Sequence, residues 1–429
     1  MKKVSIISLG CPKNLVDSER VLANLSKDYK ITFDPDKADI VVINTCAFLN
    51  ESRQEGEYVI QEFLDKKKNG KIEKVVVLGC YPSLDIGYLK KKFKDVDAFV
   101  GTNNLKSIQD AIKKGGAFID PLPELAEFPR LQLTLPHYAY LKIADGCNHR
   151  CAFCLIPKIK GNLHSFPMEF LVDEAKALVK NGARELILIA QDTTQYGMDV
   201  YGGIKTIELL EQLEKIEDLK WIRILYTYPV PYIKDLIKYM RSSKKIVPYI
   251  DMPIQHASER ILRLMKRGYS KKELEDIAEI IKSNELTFRT SVIVGFPTET
   301  DNDFKELKQF IKQYEIDHIG IFKYSNERGV NSYKLSQVDG SLIDERFEEL
   351  SSLKDELARK RTKQFLGKEI EFVIDYYDEE NKLYVGRSSM DAPEIDNIVY
   401  TKDSIQTGQF YKGFVKNGVD YEWEVEVKK

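Results

Sequence analysis

Short unbroken apolar runs alternate with amphipathic stretches through the first part of the chain. Lys3 to Ser8, Asp39 to Asn44 and Lys74 to Leu78 read as strands, with helical stretches from Asp17, over Gln54 to Lys66 and on through Lys92. Strands that are apolar at every position, not every second one, are buried on both faces. With helices between them they predict βαβ units in a parallel sheet. The pattern lapses from Ala117 to Pro136, where Pro121, Pro123, Pro129 and Pro136 mark a linker.

A longer alternation follows. Its strands are Tyr138 to Ile143, Glu185 to Ala190, Trp221 to Tyr226, Tyr249 to Ile254, Arg289 to Val294 and His318 to Tyr324. Between them lie helical stretches, including Met168 to Lys180, Ile204 to Ile216, Glu259 to Lys266, Lys271 to Ser283 and Asp303 to Tyr314. Six parallel strands with helical crossovers predict an open (β/α)6 partial barrel, not a complete eightfold one. Leu342 to Phe365 then sets Ile343, Phe347, Leu350, Leu353 and Leu357 on one helical face. Short β segments at Ile370 to Ile374, Lys382 to Gly386, Gln409 to Val415 and Tyr421 to Val427 predict a small all-β barrel or sandwich. The expected fold class is α/β with a small β domain at the end. Its division is an amino-terminal parallel α/β domain over 1–120, a linker over 121–136, the partial barrel over 137–340, a linking helix over 341–366 and the β domain over 367–429.

Composition adds limits. At 429 residues the chain exceeds what one core supports. Its 65 basic and 67 acidic residues leave a net charge of −2, which excludes a surface built throughout for nucleic acid. No stretch approaches the ~20 apolar residues of a membrane helix. The start, Lys2-Lys3 followed by Val4 to Leu9 and Gly10-Cys11, has the outline of a lipoprotein signal, but its apolar part is too short and an amphipathic segment continues from it. A cytoplasmic, reducing compartment is expected, with no membrane partner. Six cysteines are too few for a secreted disulfide scaffold, so their positions carry the information.

Cys147, Cys151 and Cys154 form CxxxCxxC directly after the first barrel strand. Three thiolates on one loop hold three irons of a cubane cluster and leave the fourth open to a small molecule. A zinc site would need a fourth ligand, for which His149 and His164 are near in sequence. Cys11, Cys46 and Cys80 each stand two or three residues beyond a predicted strand of the amino-terminal sheet. Successive parallel strands bring such loops to one edge, where open α/β sheets bind ligands. One such cysteine alone would read as a small buried apolar residue. Three at equivalent places again make a cluster with one open iron.

The CxxxCxxC loop on a six-strand array resembles the radical S-adenosylmethionine superfamily, over Tyr138 to Tyr324. The resemblance implies that the cofactor's methionine moiety chelates the open iron, that Phe153 lies near the adenine, and that Gly295, after Val292-Ile293-Val294, lets backbone approach the nucleoside. Phe153 as a core aromatic and Gly295 as a turn residue are the plain alternatives. Two three-cysteine sites followed by a small β domain resemble the methylthiotransferases over nearly the whole chain, with a carboxyl-terminal TRAM domain. The stretches Ser8-Leu9-Gly10-Cys11-Pro12-Lys13-Asn14, Asp17-Ser18-Glu19, Asn44-Thr45-Cys46-Ala47-Phe48, Gln191-Asp192-Thr193-Thr194-Gln195-Tyr196-Gly197 and Gly386-Arg387-Ser388 with Asp391-Ala392-Pro393-Glu394-Ile395-Asp396 resemble the ribosomal-protein branch. Glu327-Arg328-Gly329-Val330 and Asn397 depart from that pattern.

That resemblance implies two 4Fe–4S clusters, S-adenosylmethionine, a sulfur donor and an external electron donor. The reaction implied is insertion of a methylthio group at the β-carbon of an aspartate of small-subunit ribosomal protein twelve, free or in the ribosome, with a reductase or electron carrier as second partner. A tRNA adenosine methylthiotransferase is the alternative. Gln191, Asp192, Arg223, Gln255 and His256 fall at or just beyond predicted strand ends, the catalytic face of such folds. Gln191, Arg223 and Gln255 are expected at the cofactor, and Asp192 and His256 are catalytic candidates, with helix-start packing the other reading of His256. The tail from Lys368 to Lys429 carries 14 acidic against 8 basic residues. RNA binding calls for the opposite sign, so direct nucleic-acid binding is not expected and a basic protein is the better match. A solvated acidic surface without a partner is the plain reading.

Overall fold

The structure is a computed structural model, and it describes residues 1–120 and 129–428. The first part of the expected linker, with Pro121 and Pro123, lies outside the described residues. The amino-terminal unit runs β1 (Lys3–Ser8), α1 (Pro12–Leu25), β2 (Lys30–Ile31), β3 (Ile40–Thr45), α2 (Asn50–Lys68), β4 (Lys74–Gly79), α3 (Cys80–Lys92), β5 (Ala98–Gly101), α4 (Ile108–Lys114) and β6 (Gly116–Phe118). Its strands form one parallel sheet in the order β2-β1-β3-β4-β5-β6. Val41, Ile43, Val75 and Val77 pack toward α2 and α3, while Ile40, Val42, Val76 and Leu78 pack toward α1 and α4. Both faces are therefore covered, which is why these strands read as continuous apolar runs.

The central unit runs β7 (Tyr138–Lys142), β8 (Ala144–Asp145), α5 (Ile156–Ile159), β9 (His164–Ser165), α6 (Met168–Lys180), β10 (Glu185–Ile189), α7 (Thr206–Glu214), β11 (Trp221–Ile224), α8 (Ile233–Ser242), β12 (Ile246–Asp251), α9 (Glu259–Leu264), α10 (Lys271–Ser283), β13 (Thr287–Val294), α11 (Asp301–Tyr314) and β14 (His318–Lys323). Strands β7, β10, β11, β12, β13 and β14 lie side by side in chain order, all parallel, as an open six-strand array. Strand β12 starts three residues earlier than the sequence pattern implies and stops before Pro253, which has no N–H for a ladder. Its pairing with β11 shifts register between Ile222 and Ile224, where Pro248 falls opposite.

Helix α12 (Gly340–Phe365) leads to a closed barrel of β15 (Glu369–Asp378), β16 (Leu383–Ser388), β17 (Ile398–Thr401), β18 (Phe410–Val419) and β19 (Glu422–Val427), in the order β15-β16-β17-β19-β18. Phe372, Ile374, Val399, Val415, Trp423 and Val425 fill it, and the Trp423 indole donates to Thr362 Oγ1 of α12 at 2.8 Å.

The partial barrel is enclosed at both ends. Helix α1 reaches its carboxyl-terminal mouth, where Asp17 meets Lys142, the last residue of β7. The small β-barrel plugs the other end, where Glu185, the first residue of β10, accepts from Arg387 of β16 and from Arg223 Nε at 2.8 Å. Tyr249 Oη donates to Asp396 at 2.5 Å, Arg289 Nε lies 3.3 Å from Asp396, His318 lies 3.2 Å from Asp391, and His137 lies 2.7 Å from Asp375. Three of the tail's carboxylates thus face inward.

Glu185 is fully buried between two arginines. Removing the shared anion from such a cluster costs about 3–5 kcal/mol, so Glu185→Gln is expected to lower the denaturation midpoint of the full chain clearly. Glu426→Gln, at the exposed Lys416 pair, is the control and should leave the midpoint in place.

Candidate functional site

The three amino-terminal cysteines meet at one sheet edge because β1, β3 and β4 are adjacent. Cys11 is the N-cap of α1, Cys46 follows β3, and Cys80 opens α3. The Cys11 and Cys80 sulfurs each lie 3.7 Å from the same atom, Asn14 Oδ1. Asn14 Nδ2 donates to Leu9 O at 3.1 Å and Thr45 O at 3.2 Å, which ties the loops after β1 and β3 together. Gly10, at φ +98°, leaves room for Cys46: a Cβ on Gly10 would sit 2.7 Å from Cys46 Cβ and 3.3 Å from its sulfur. Cys11 and Cys80 also stand at helix N-termini, where backbone N–H groups favour negative charge.

The second set is carried on the loop between β8 and α5. Cys147 N donates to Gly161 O at 3.2 Å and Cys154 N to Cys151 O at 3.2 Å. Ala152 is pinned from both sides, its N–H donating to Met265 O and its carbonyl accepting from Ser332, each at 2.9 Å. Arg267 Nη1 lies 3.4 Å from the Cys151 sulfur and its guanidinium covers the Tyr228 ring at 4.2 Å.

Burial acts on two thiols of each set. It raises Cys46, and it pushes Cys147 up to about 11 and Cys80 and Cys154 up to about 12. Such thiols give up their protons only to a strong Lewis acid, so metal loading here releases protons. The donor set fits a cluster better than a lone ion. Zinc at about 2.3 Å from each sulfur needs four ligands drawn tightly together. Among the described residues no three Cys, His, Asp or Glu side chains are gathered that closely. His149, one possible fourth ligand, is held elsewhere: its Nε2 lies 2.7 Å from Asp192 Oδ2 and its ring stacks on Tyr228 at 3.8 Å. A cubane brings its own irons and sulfides, and three thiolates at the corners of a wider opening suffice.

Four buried charges join the two sets. Lys142 bonds to Asp17 and lies 2.7 Å from Asp145, while Lys160 lies 3.1 Å from Asp17 and 3.3 Å from Asp145. Burial disfavours the Lys160 ammonium, and Asp145 and Asp17 outweigh it and hold its pKa above the ordinary value. Burial likewise opposes charge on Asp145, and Lys142 and Lys160 outweigh it and hold its carboxyl well below the usual range. Asp145 precedes Cys147 by two residues, and Lys160 acts electrostatically on Cys80. The loop after β11 faces both sets: Tyr226 toward Cys11 and Tyr228 toward Cys151.

The remaining sequence candidates divide. Gln191 Nε2 lies 3.4 Å from Asp145 Oδ1, at the mouth. Asp192 accepts from Thr194 N at 2.8 Å and orients His149. Phe153 is half-buried against Ile261, Met265 and Phe296. Gln255, at φ +70°, extends β13 pairing through its backbone, with Ile293 N donating to Gln255 O at 2.8 Å. Arg223 differs from expectation, while His256 and Gly295 match the packing and turn alternatives. Arg223 lies inside β11, not at its end; its side chain turns to the plugged end, where Nη1 donates to Ser389 O at 3.0 Å. His256 is fully buried, its Nδ1 accepting from Ser258 N at 2.9 Å and its Nε2 3.5 Å from Glu299, so it belongs to the start of α9. Gly295, at φ +74°, spends its bare Cα on Ile343 of α12, whose Cγ1 lies 2.4 Å from where a Cβ would be. Sequence reading missed Asn14, Lys13, Lys142, Lys160 and Arg267. Lys13 and Asn14 stand inside the Cys11 stretch, whereas Arg267 has no local signal.

Comparison with known proteins agrees with this arrangement. Residues 3–101 match the Uncharacterized protein family UPF0004, residues 141–311 the Radical SAM superfamily and residues 366–427 the TRAM domain. The ribosomal protein uS12 methylthiotransferase RimO of Aquifex aeolicus is 42% identical over 98% of this chain and 96% of its own length. That of Caldanaerobacter subterraneus is 41% identical over 98% of this chain and 99% of its own. The chain belongs to the RimO family. Among solved structures, the radical S-adenosylmethionine methyltransferase TsrM of Kitasatospora setae, with cobalamin and a 4Fe–4S cluster bound, aligns at TM-score 0.55 and 12% identity over 75% of each chain. The cobalamin-dependent radical enzyme OxsB aligns at TM-score 0.54 and 12% identity over 82% of this chain and 56% of its own. At such identity the likeness concerns the fold alone.

If each cysteine set holds one cluster, the anaerobically reconstituted chain should carry about eight irons, since each cubane has four. A Cys147→Ala, Cys151→Ala, Cys154→Ala variant should retain about four, and so should the variant that removes Cys11, Cys46 and Cys80. Four irons in the unaltered chain would leave one set as ordinary buried cysteines.

Proposed function

We propose that this chain replaces a hydrogen on the β-carbon of an aspartate of ribosomal protein uS12 with a methylthio group. The relatives named for that activity match along the whole chain. The observation that carries the reading is the placing of two three-thiol sites on either side of one buried ionic junction, one at a sheet edge and one at the barrel mouth. Sulfur handled at the first can then meet a substrate carbon opened at the second.

In this reading Cys11, Cys46 and Cys80 hold one 4Fe–4S cluster and Cys147, Cys151 and Cys154 the other. When bound, the clusters and S-adenosylmethionine supply a methyl donor, an electron and a carbon radical, which an unactivated C–H bond requires because it offers no acidic proton to a base. The chain supplies position. Asn14 spaces two of the thiols, Arg267 sets positive charge beside Cys151, and Asp192 fixes His149 at the rim. Gln191, Gln255 and Phe153 border the mouth and are assigned to the cofactor, whereas Arg223, Gly295 and His256 are assigned to the framework.

The functional units are 1–120, 137–340 and 367–429, joined by 121–136 and 341–366. Outward acidic charge on the last unit gathers at the turn from β15 to β16, at Asp378, Glu379 and Glu380, and suits a basic protein better than RNA. The reaction needs a sulfur donor and an external electron carrier or reductase, and the assigned setting is the cytoplasm. No helix among the described residues is long and apolar enough to cross a membrane.

The test is direct. Enzyme with both clusters, reductant and S-adenosylmethionine is incubated with uS12 or with tRNA, and the products are weighed. One SCH₃ in place of one hydrogen on a uS12 aspartate is the expected result; the same gain on tRNA only would overturn the assignment.

A further inference from the structure

Lys13 is the second residue of α1, two positions beyond Cys11, and it is 8% exposed. Its ammonium sits 3.4 Å from the centre of the Tyr226 ring and 3.4 Å from Ala190 O. Both neighbours stand at the mouth, just past β11 and β10.

The surrounding charges are already committed. Lys142 and Lys160 balance Asp17 and Asp145. Asp251 is taken by Arg289 Nη1 at 2.8 Å and by Tyr226 N at 2.9 Å. Arg267 is turned to Cys151. Among the described residues no carboxylate pairs with Lys13, and no thiol lies within hydrogen-bond reach of it: the Cys11 sulfur is directed to Asn14. An ammonium has three N–H donors, and here one faces a distant carbonyl and one an aromatic ring. A ring face steadies a cation in a water-poor place but does not neutralise it. Tyr226 is itself held at φ +59°, a left-handed backbone that side chains adopt rarely and that is retained where the surroundings impose it. Among the described residues the Lys13 ammonium thus stands between the two thiol sites with a ring face and a carbonyl, and no carboxylate, as its direct partners.

We propose that Lys13 receives the carboxylate of the substrate side chain. The proposal rests on the assignment of an aspartate as substrate. In aspartate the reacting β-carbon is bonded directly to the carboxyl carbon, so a clamp on the carboxylate holds that carbon one bond away. Pairing inside a dry mouth also distinguishes the acid from its amide, because the amide leaves the buried ammonium unpaired. Lys13 is a binding and positioning residue in this account.

The experiment uses the full chain with both clusters reconstituted, as wild type, Lys13→Met and Lys13→Arg, and measures equilibrium binding of uS12 and of uS12 with its target aspartate changed to asparagine. Wild type is expected to bind the aspartate form at least about 30-fold more tightly than the asparagine form, the scale of truncating one partner of a buried pair. Lys13→Met should bind both forms equally and Lys13→Arg should restore part of the preference. Iron content and formation of S-adenosylhomocysteine without uS12 are measured in both variants, and binding is compared at equal cluster loading. A wild type that does not separate the two forms of uS12 overturns the proposal without any variant. So does a Lys13→Met protein that keeps the preference, or one that loses S-adenosylhomocysteine formation, which would give Lys13 to the sulfur site. Whether wild type modifies uS12 at all is read separately and bears on the substrate assignment.

Discussion

Everything at the catalytic end depends on four charges that have been taken out of water together. Asp17, Lys142, Asp145 and Lys160 come from two domains, and none has a cheap alternative: an ion removed from water costs several kcal/mol unless opposite charge and hydrogen bonds surround it. The set is neutral only when α1 lies on the barrel mouth in one register. A hydrophobic contact would tolerate a slide of an ångström or two. This one does not, and so the relation between the two cysteine sets is fixed by electrostatics before any metal is considered.

The same junction explains why the cysteines are placed as they are. Asp145 leads into the CxxxCxxC loop and Lys160 closes it, while Asp17 lies nearly two turns along the helix that Cys11 caps. Each cluster site is therefore attached by a few residues of backbone to the ionic knot. Asn14 adds a finer adjustment, because one amide oxygen stands between two thiols while its NH₂ holds the loops they stand on.

How far the sequence disclosed this follows from range and direction. Strands buried on both faces were legible because every residue is apolar, as at Val75 to Leu78. β2, β5, β6 and β17 were not, since runs of two to four residues carry no period. The cysteine sets were legible because each cysteine follows a strand or clusters within one loop. The ionic junction was not, because Lys142 and Asp17 are 125 positions apart. Arg223 was misplaced because alternation along a strand tells inside from outside but not which end of a barrel a long side chain turns to. Gly295 was read either as room for a ligand or as a turn residue, and local sequence could not choose because the side chain packed against it, Ile343, lies on a helix far along the chain.

The carboxylates of the last domain bear on how a partner arrives. Asp375, Asp391 and Asp396 contribute to its formal charge, yet they are turned inward, where Asp375 faces Arg387 at 3.3 Å, Asp391 faces Arg361 at 3.9 Å and Asp396 faces Arg289 at 3.3 Å. What remains outside is local, and salt confines its reach to about 8 Å under physiological conditions. The domain therefore cannot draw in a basic protein from a distance as its composition implies; it can only align one that has already come within a side chain's length of the β15–β16 turn.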